Sequence, residues 1–268
     1  MNAYLIINIL VILFPLLLSF DRRVVFVRQW RGALPAIVLV GGFYIYEDVI
    51  ATARGNWSFA ERWVGEVTLL GLPVGEWLFF FTVPYACIFI YACVRGYVPE
   101  KRFRFPRFVP WIVAAAAAVG AWIFRDQGYT VVVMSVFAVT SAALGLLRPD
   151  LLGSRQFWVA LAFSYGAFLV VNGILTGVPV VLYGPQAIWG IRVITIPLED
   201  FFYNFCLLSL NYLLFRIFLD AGAPAGEGAG PRWRRANPAP GEFTGPGGVG
   251  SVTDPILAYR FLETRRGR

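Results

Sequence analysis

The chain has 268 residues and a formal net charge of +7, with 58% hydrophobic and only 15% charged residues. A soluble domain carries about 25% charged residues, so this composition, with a mean hydropathy of +0.66, excludes a water-soluble globule and indicates an integral membrane protein. There is no histidine and Lys101 is the sole lysine, which rules out a histidine-ligated metal site and leaves acid–base chemistry to carboxylates, tyrosines or water; no metal and no cofactor is expected.

A helix needs about 20 apolar residues to cross the hydrocarbon core. Stretches near 3–20, 33–51, 75–94, 108–124, 129–147, 157–174 and 199–219 qualify. The expected fold is therefore all-α, with about seven transmembrane helices. The first stretch lacks the basic start and small-residue cleavage site of a signal peptide and reads as a span. Cys87, Cys93 and Cys206 fall in apolar runs without a CxxC pair, as expected of reduced packing residues. Basic residues concentrate in the loops after the first, third and fifth spans: Arg22, Arg23, Arg28 and Arg31, then Arg95, Lys101, Arg102, Arg104 and Arg107, then Arg148 and Arg155. The positive-inside rule puts those loops in the cytoplasm, the N-terminus outside and the C-terminus inside a cell (inner) membrane. Scattered over short loops, this charge attracts anionic lipid and gives no reason to expect nucleic acid. From 221 the chain turns rich in Gly, Pro and Ala, a composition that cannot bury enough surface to order itself. Residues 221–268 are expected to be a disordered cytoplasmic tail, with a short surface helix over 254–262.

Shifting the chain by 124 residues brings Pro73-Val74-Gly75-Glu76-Trp77 onto Pro197-Leu198-Glu199-Asp200-Phe201, and Asp48 onto Asn172. Each copy has Pro, an acid three residues later, then aromatics opening an apolar run. The shift maps the first three spans onto the last three and leaves the fourth over. The expected organisation is a three-helix repeat at 1–107, a linker helix at 108–127, a second repeat at 128–220 and the tail. An extra crossing between two three-span units makes them parallel, with a pseudo-twofold axis along the membrane normal. Both Pro-x-x-acid segments then lie at the same end and can face one cavity.

Ionisable residues at helix depth are costly and suggest a site. The candidates are Glu47, Asp48, Glu76, Glu199 and Asp200, with Arg192 nearby. An acid in the first turn after Pro also suits the helix dipole without any function; two copies at repeat-equivalent positions weigh against that reading. Aromatics directly follow the acids, at Trp77, Phe79, Phe80 and Phe81 and at Phe201, Phe202 and Tyr203. Desolvation favours the neutral form of a carboxyl group, which can then act as an acid, and aromatic faces stabilise cations. Such a constellation suits protonation of an alkene and shelter of the resulting carbocation.

The run Asp48-Val49-Ile50-Ala51-Thr52-Ala53-Arg54-Gly55-Asn56-Trp57-Ser58-Phe59, then Gly71 to Phe80 and Val83 to Phe89, resembles the first half of the small, non-flavin bacterial and archaeal lycopene cyclases. The likeness is to the fused form of a type that elsewhere occurs as two subunits. Val171 to Gly177 and Gly190 to Tyr203 resemble the second half, so the likeness covers about residues 1–220. The resemblance implies a lycopene beta-cyclase, an intramolecular lyase or isomerase of carotenoid biosynthesis. It closes the ψ-ends of lycopene to β-ionone rings, giving γ-carotene and then β-carotene without net redox change. It implies lycopene taken from the bilayer, with membrane lipid and other carotenoid-pathway enzymes as partners. The family pattern has two acids after the first Pro, and here Gly75 replaces one of them. The resemblance makes Glu76, Glu199 and Asp200 the acid–base candidates, with Asp48, Asn172, Arg192, Trp77, Phe80, Phe201 and Phe202 binding substrate or tuning them. A cyclase of C50 carotenoids, a non-catalytic carotenoid-binding protein and a transporter remain open on sequence. A retinal photoreceptor does not, since the last span carries no lysine.

Overall fold

The computed structural model describes residues 2–222, 242–245 and 248–251. Residues 1–222 form one compact unit, and 223–268 a second. In the second, β7 (Glu242–Gly245) pairs antiparallel with β8 (Gly248–Ser251). This hairpin falls inside the stretch expected to lack order. The rest of the tail, including the helix expected over 254–262, lies outside the described residues.

The first unit is helical. Asn2 opens α1 (Ala3–Leu18), its side chain accepting from the Leu5 amide at 3.1 Å, one of the orphan donors of a helix start. A 3₁₀ turn (Phe26–Gln29) leads into α2 (Trp30–Ala53). Then come β1 (Trp57–Phe59), the single turn α3 (Glu61–Val64), and the two-residue strands β2 (Thr68–Leu69) and β3 (Leu72–Pro73). Pro73 has no amide to lose and its φ of −59° is preset, so α4 (Val74–Tyr97) starts there. After α5 (Val109–Ile123), α6 (Gly128–Leu147) and the turn α7 (Pro149–Leu152), Ser154 caps α8 (Arg155–Gly177). β4 (Val181–Tyr183), β5 (Arg192–Val193) and β6 (Ile196–Pro197) precede α9 (Leu198–Ala221), which again starts at a proline.

α2, with its leading 3₁₀ turn, and α4, α6, α8 and α9 are long and apolar enough to cross a membrane. The other two expected spans are shorter. α1 has 16 residues and α5 has 15, about 24 and 22 Å at 1.5 Å per residue, against about 30 Å of hydrocarbon. Both still turn large apolar side chains outward, Leu10, Phe14 and Leu17 on α1 and Ile112, Val119 and Trp122 on α5, as lipid-facing helices do.

The repeat is visible in the elements. Trp57 and Val181 open β1 and β4, Thr68 and Arg192 open β2 and β5, and Val74 and Leu198 open α4 and α9, each pair 124 positions apart. The turn tips Leu70 and Ile194, also equivalent, both have positive φ, 53° and 60°, an uncommon conformation for bulky residues. α1 packs on α4 as α6 packs on α9, whereas α2 and α8 each pack on both α4 and α9. The halves are thus interlocked, not merely adjoining. Gly32 and Gly41 allow this: a Cβ on Gly32 would meet the α9 backbone at 3.0 Å, and one on Gly41 would meet the Phe80 carbonyl at 2.9 Å. Small residues are the usual means of close helix approach in lipid. β1 pairs with β4 so that Ser58 faces its own equivalent, Leu182, while Trp57 faces Tyr183 and Phe59 faces Val181. That is the isologous pattern of a twofold axis, which passes through the Ser58–Leu182 pair.

At the other end of the bundle an ion cluster ties the loops. Arg148 reaches Asp150 and Asp220, each at 2.8 Å, and Arg216 reaches Asp220 at 3.3 Å. The Arg148 guanidinium holds the Asp150 carboxyl below the ordinary carboxylate range.

Candidate active site

Each half delivers its acid in the same way. A two-residue hairpin, β2–β3 or β5–β6, ends in Pro73 or Pro197. The helix that follows presents Glu76 or Asp200 in its first turn. Asp48 near the end of α2 and Asn172 near the end of α8 approach from the side. The β1–β4 ribbon closes over them. Together they line one buried cavity of about 70 Å³. Phe80, Tyr129, Phe168 and Tyr203 supply aromatic walls, and Trp57 and Tyr183 form part of the ribbon above.

The halves differ in how their acids are held. Asp200 accepts three hydrogen bonds, from the Tyr129 hydroxyl at 2.7 Å, the Tyr183 hydroxyl at 2.7 Å and the Asn172 amide at 2.8 Å. Burial and the adjacent Asp200 push the Tyr183 phenol well above its ordinary range, so it stays a donor. Glu76 accepts one bond, from the Tyr4 hydroxyl at 2.5 Å. Asp48 is buried and its Oδ2 has no partner among the described residues. Asn172 donates to Asp200 where its counterpart Asp48, a carboxylate, can donate to Glu76 only when protonated.

The other expected residues lie elsewhere. Glu199 is fully buried outside the cavity, accepting from the Thr130 hydroxyl at 2.8 Å and the Trp189 amide at 2.5 Å. It anchors the loop between β4 and β5. Arg192 is exposed, bonds the Thr195 carbonyl at 2.6 Å and stacks 5.7 Å above the Tyr183 ring, so it meets the acids only through that tyrosine. Trp77 donates to the Leu69 carbonyl at 3.0 Å and pins the first hairpin. Phe201 and Phe202 face a different recess. Of the expected set, Asp48, Glu76, Asn172, Asp200 and Phe80 converge. Among the described residues no three His, Cys, Asp or Glu side chains gather as a metal site.

The sequence reading named Tyr203 but missed the tyrosines that donate to the acids, Tyr4, Tyr129 and Tyr183. Tyr4 and Tyr129 sit in the first turns of α1 and α6, nearly the same place in each repeat, and that recurrence was the available signal. Gly75 also acquires a reason. A Cβ there would lie 2.8 Å from Tyr4 Cβ and Cγ, so the absent acid and the present tyrosine share one space.

No curated protein and no solved structure matches this chain. A family model described as lycopene cyclase matches residues 1–94 and 126–218. These two segments hold most of both acid-bearing helices and omit α5 entirely. The chain, with its paired halves closing on one carboxylate-lined cavity, belongs to the lycopene cyclase family.

Proposed function

We propose that the protein is a lycopene beta-cyclase. The end group of the linear carotenoid enters the cavity, a proton adds at C2, and a tertiary cation forms at C1. The C5=C6 electrons attack it, the C1–C6 bond closes the ring, and the cation now at C5 is quenched by loss of the C6 proton. Atoms and electrons balance, so the reaction is an isomerisation and consumes no redox partner.

The observation that carries this reading is the convergence of Asp48, Glu76 and Asp200 on one buried, aromatic-walled cavity. Asp200 already accepts three hydrogen bonds, which suits an anion that stabilises the cation and takes up the C6 proton. Asp48 and Glu76 carry far fewer partners, which suits a pair sharing the proton to be donated. Tyr203 and Trp57 line the cavity, and aromatic rings there stabilise a cation. Glu199 keeps a supporting role. We place the acid end of the bundle on the outer side of a cell membrane, because the basic loops lie at the other end.

The test is expression in a bacterial host that accumulates lycopene, with pigments resolved by chromatography and absorbance. Conversion to γ-carotene or β-carotene is expected. Unchanged lycopene, with the protein present in the membrane, overturns the reading.

A further inference from the structure

The acid cavity is too small for its proposed guest. A cavity of about 150 Å³ holds benzene, and this one measures about 70 Å³. An end group that closes to a methylated six-membered ring is larger than benzene. One wall must therefore move when it enters.

A second recess, about 380 Å³ and open to the exterior, lies beside that wall. α5 contributes Val109 and Val113, α6 contributes Phe137 and Ser141. α8 and α9 complete it, with Trp158 and Tyr165 on one and Phe201, Phe202 and Phe205 on the other. Its principal polar groups are already engaged: the Trp158 indole donates to the Leu152 carbonyl at 2.8 Å and the Tyr165 hydroxyl to the Phe201 carbonyl at 2.6 Å. Such a surface fits a hydrocarbon and offers little to a polar ligand.

A single layer of rings separates groove from cavity. Phe168 lines the acid cavity. Its ring lies 5.2 Å from that of Phe201 and 5.7 Å from that of Tyr165, both groove residues. The groove also exists for a topological reason. The positions equivalent to Phe137 and Ser141 are Leu13 and Leu17 on α1, and both are exposed. α5 covers the corresponding face of α6, and among the described residues no long helix other than α4 packs on α1 to a comparable extent.

We propose that the groove walled by α5 holds the polyene chain of the linear substrate while its end group occupies the acid cavity, and that Phe168 is the ring that swings aside to join the two spaces. This rests on the cyclase reading and gives α5, which lies wholly outside the family match, a binding role. Because the groove is built on one half only, both ends of the substrate must enter from the same side in turn.

The test compares Val113→Phe, which fills the groove, with Val119→Phe, which adds the same bulk on the exposed face of α5. Lycopene turnover is measured in membranes. Binding is measured in detergent as quenching of the Trp158 component of emission, taken as the difference between the wild type and Trp158→Phe. Val113→Phe is expected to raise KM for lycopene about tenfold with kcat nearly unchanged, to weaken quenching in parallel, and to leave a short hydrocarbon with the same end group unaffected. Val119→Phe is expected to match the wild type. Equal KM and equal quenching in the two variants overturn the proposal. So does a groove holding only lipid acyl chains that lycopene fails to displace. A wild type that turns over no lycopene, yet shows saturable Trp158 quenching lost in Val113→Phe, sinks the cyclase reading and supports the groove.

Discussion

The three carboxyl groups at the cavity are chemically distinct because their donors are distinct. Asp200 meets two phenols and an amide, all of which favour its anionic form. An amide in its place keeps one acceptor oxygen and turns an NH2 toward a donor that the other oxygen served, and a buried unsatisfied group costs about 1–3 kcal/mol on its own. Glu76 and Asp48 form the less satisfied pair. Asp200→Asn and Glu76→Gln are each expected to lower cyclisation by about 100-fold or more, the usual contribution of a positioned acid or base. Tyr183→Phe removes one of three donors and should cost roughly tenfold, since a hydrogen bond to a charged group contributes about 1.5–3 kcal/mol and the other two remain. Glu199→Gln differs in kind. It should lower the yield of monodisperse protein while the folded fraction keeps turnover within a few-fold of wild type, because Glu199 holds Thr130 and Trp189 and does not line the cavity. Pigment formed per unit of size-selected protein separates the cases. Full loss of turnover in well-folded Glu199→Gln would remove the distinction drawn here.

At the scale of elements, the two halves exchange bulk between neighbouring helices. α1 puts Tyr4 against Gly75 of α4. In the second half Gly128 stands at the position equivalent to Tyr4, and Glu199 at that of Gly75. A Cβ on Gly128 would collide with Asn56, so neither site accepts the other's residue alone. Gly75→Ala should therefore lower the unfolding midpoint in detergent, with overpacking worth about 1–3 kcal/mol. Adding Tyr4→Ala should recover part of that loss while still impairing turnover, because Glu76 loses its donor. Additive losses in the double variant would mean that Tyr4 and Gly75 do not share the space. This exchange explains what the sequence could and could not disclose. The Pro-x-x-acid copies and their 124-residue offset were legible, because prolines and buried acids stand out against apolar helices. The ribbon of β1 and β4 was not, since three-residue strands carry no usable periodicity. Nor was the separation of Glu199 from Asp200. Adjacent positions on a helix point about 100° apart, and here Asp200 turns into the cavity while Glu199 turns to Thr130 and Trp189.

For the whole molecule the decisive feature is that neither half owns the site. α2 and α8 each pack on the acid-bearing helices of both halves, the ribbon takes one strand from each half, and the cavity takes Asp48 and Glu76 from one half and Asn172 and Asp200 from the other. The covalent connection through 98–108 adds little geometry that contacts do not also supply. Gln156 donates to the Val98 carbonyl at 2.7 Å, Ser154 to Glu100 at 2.6 Å, and the Phe103 amide to the Gly153 carbonyl at 3.0 Å. A break after 107 keeps all of these as contacts between fragments. What it removes is effective concentration, which tethering raises and a bilayer partly restores by confining both pieces to one plane. Fragments 1–107 and 108–268, produced together in a lycopene-accumulating host, are expected to assemble and to form cyclic carotenoid within about tenfold of the intact chain, a loss of about 1.4 kcal/mol in assembly. Either fragment alone should form none, because each carries only part of the cavity, Asp48 and Glu76 on one and Asn172 and Asp200 on the other. Pigment from a single fragment would show that one half holds a complete site, and would undo the shared-cavity mechanism.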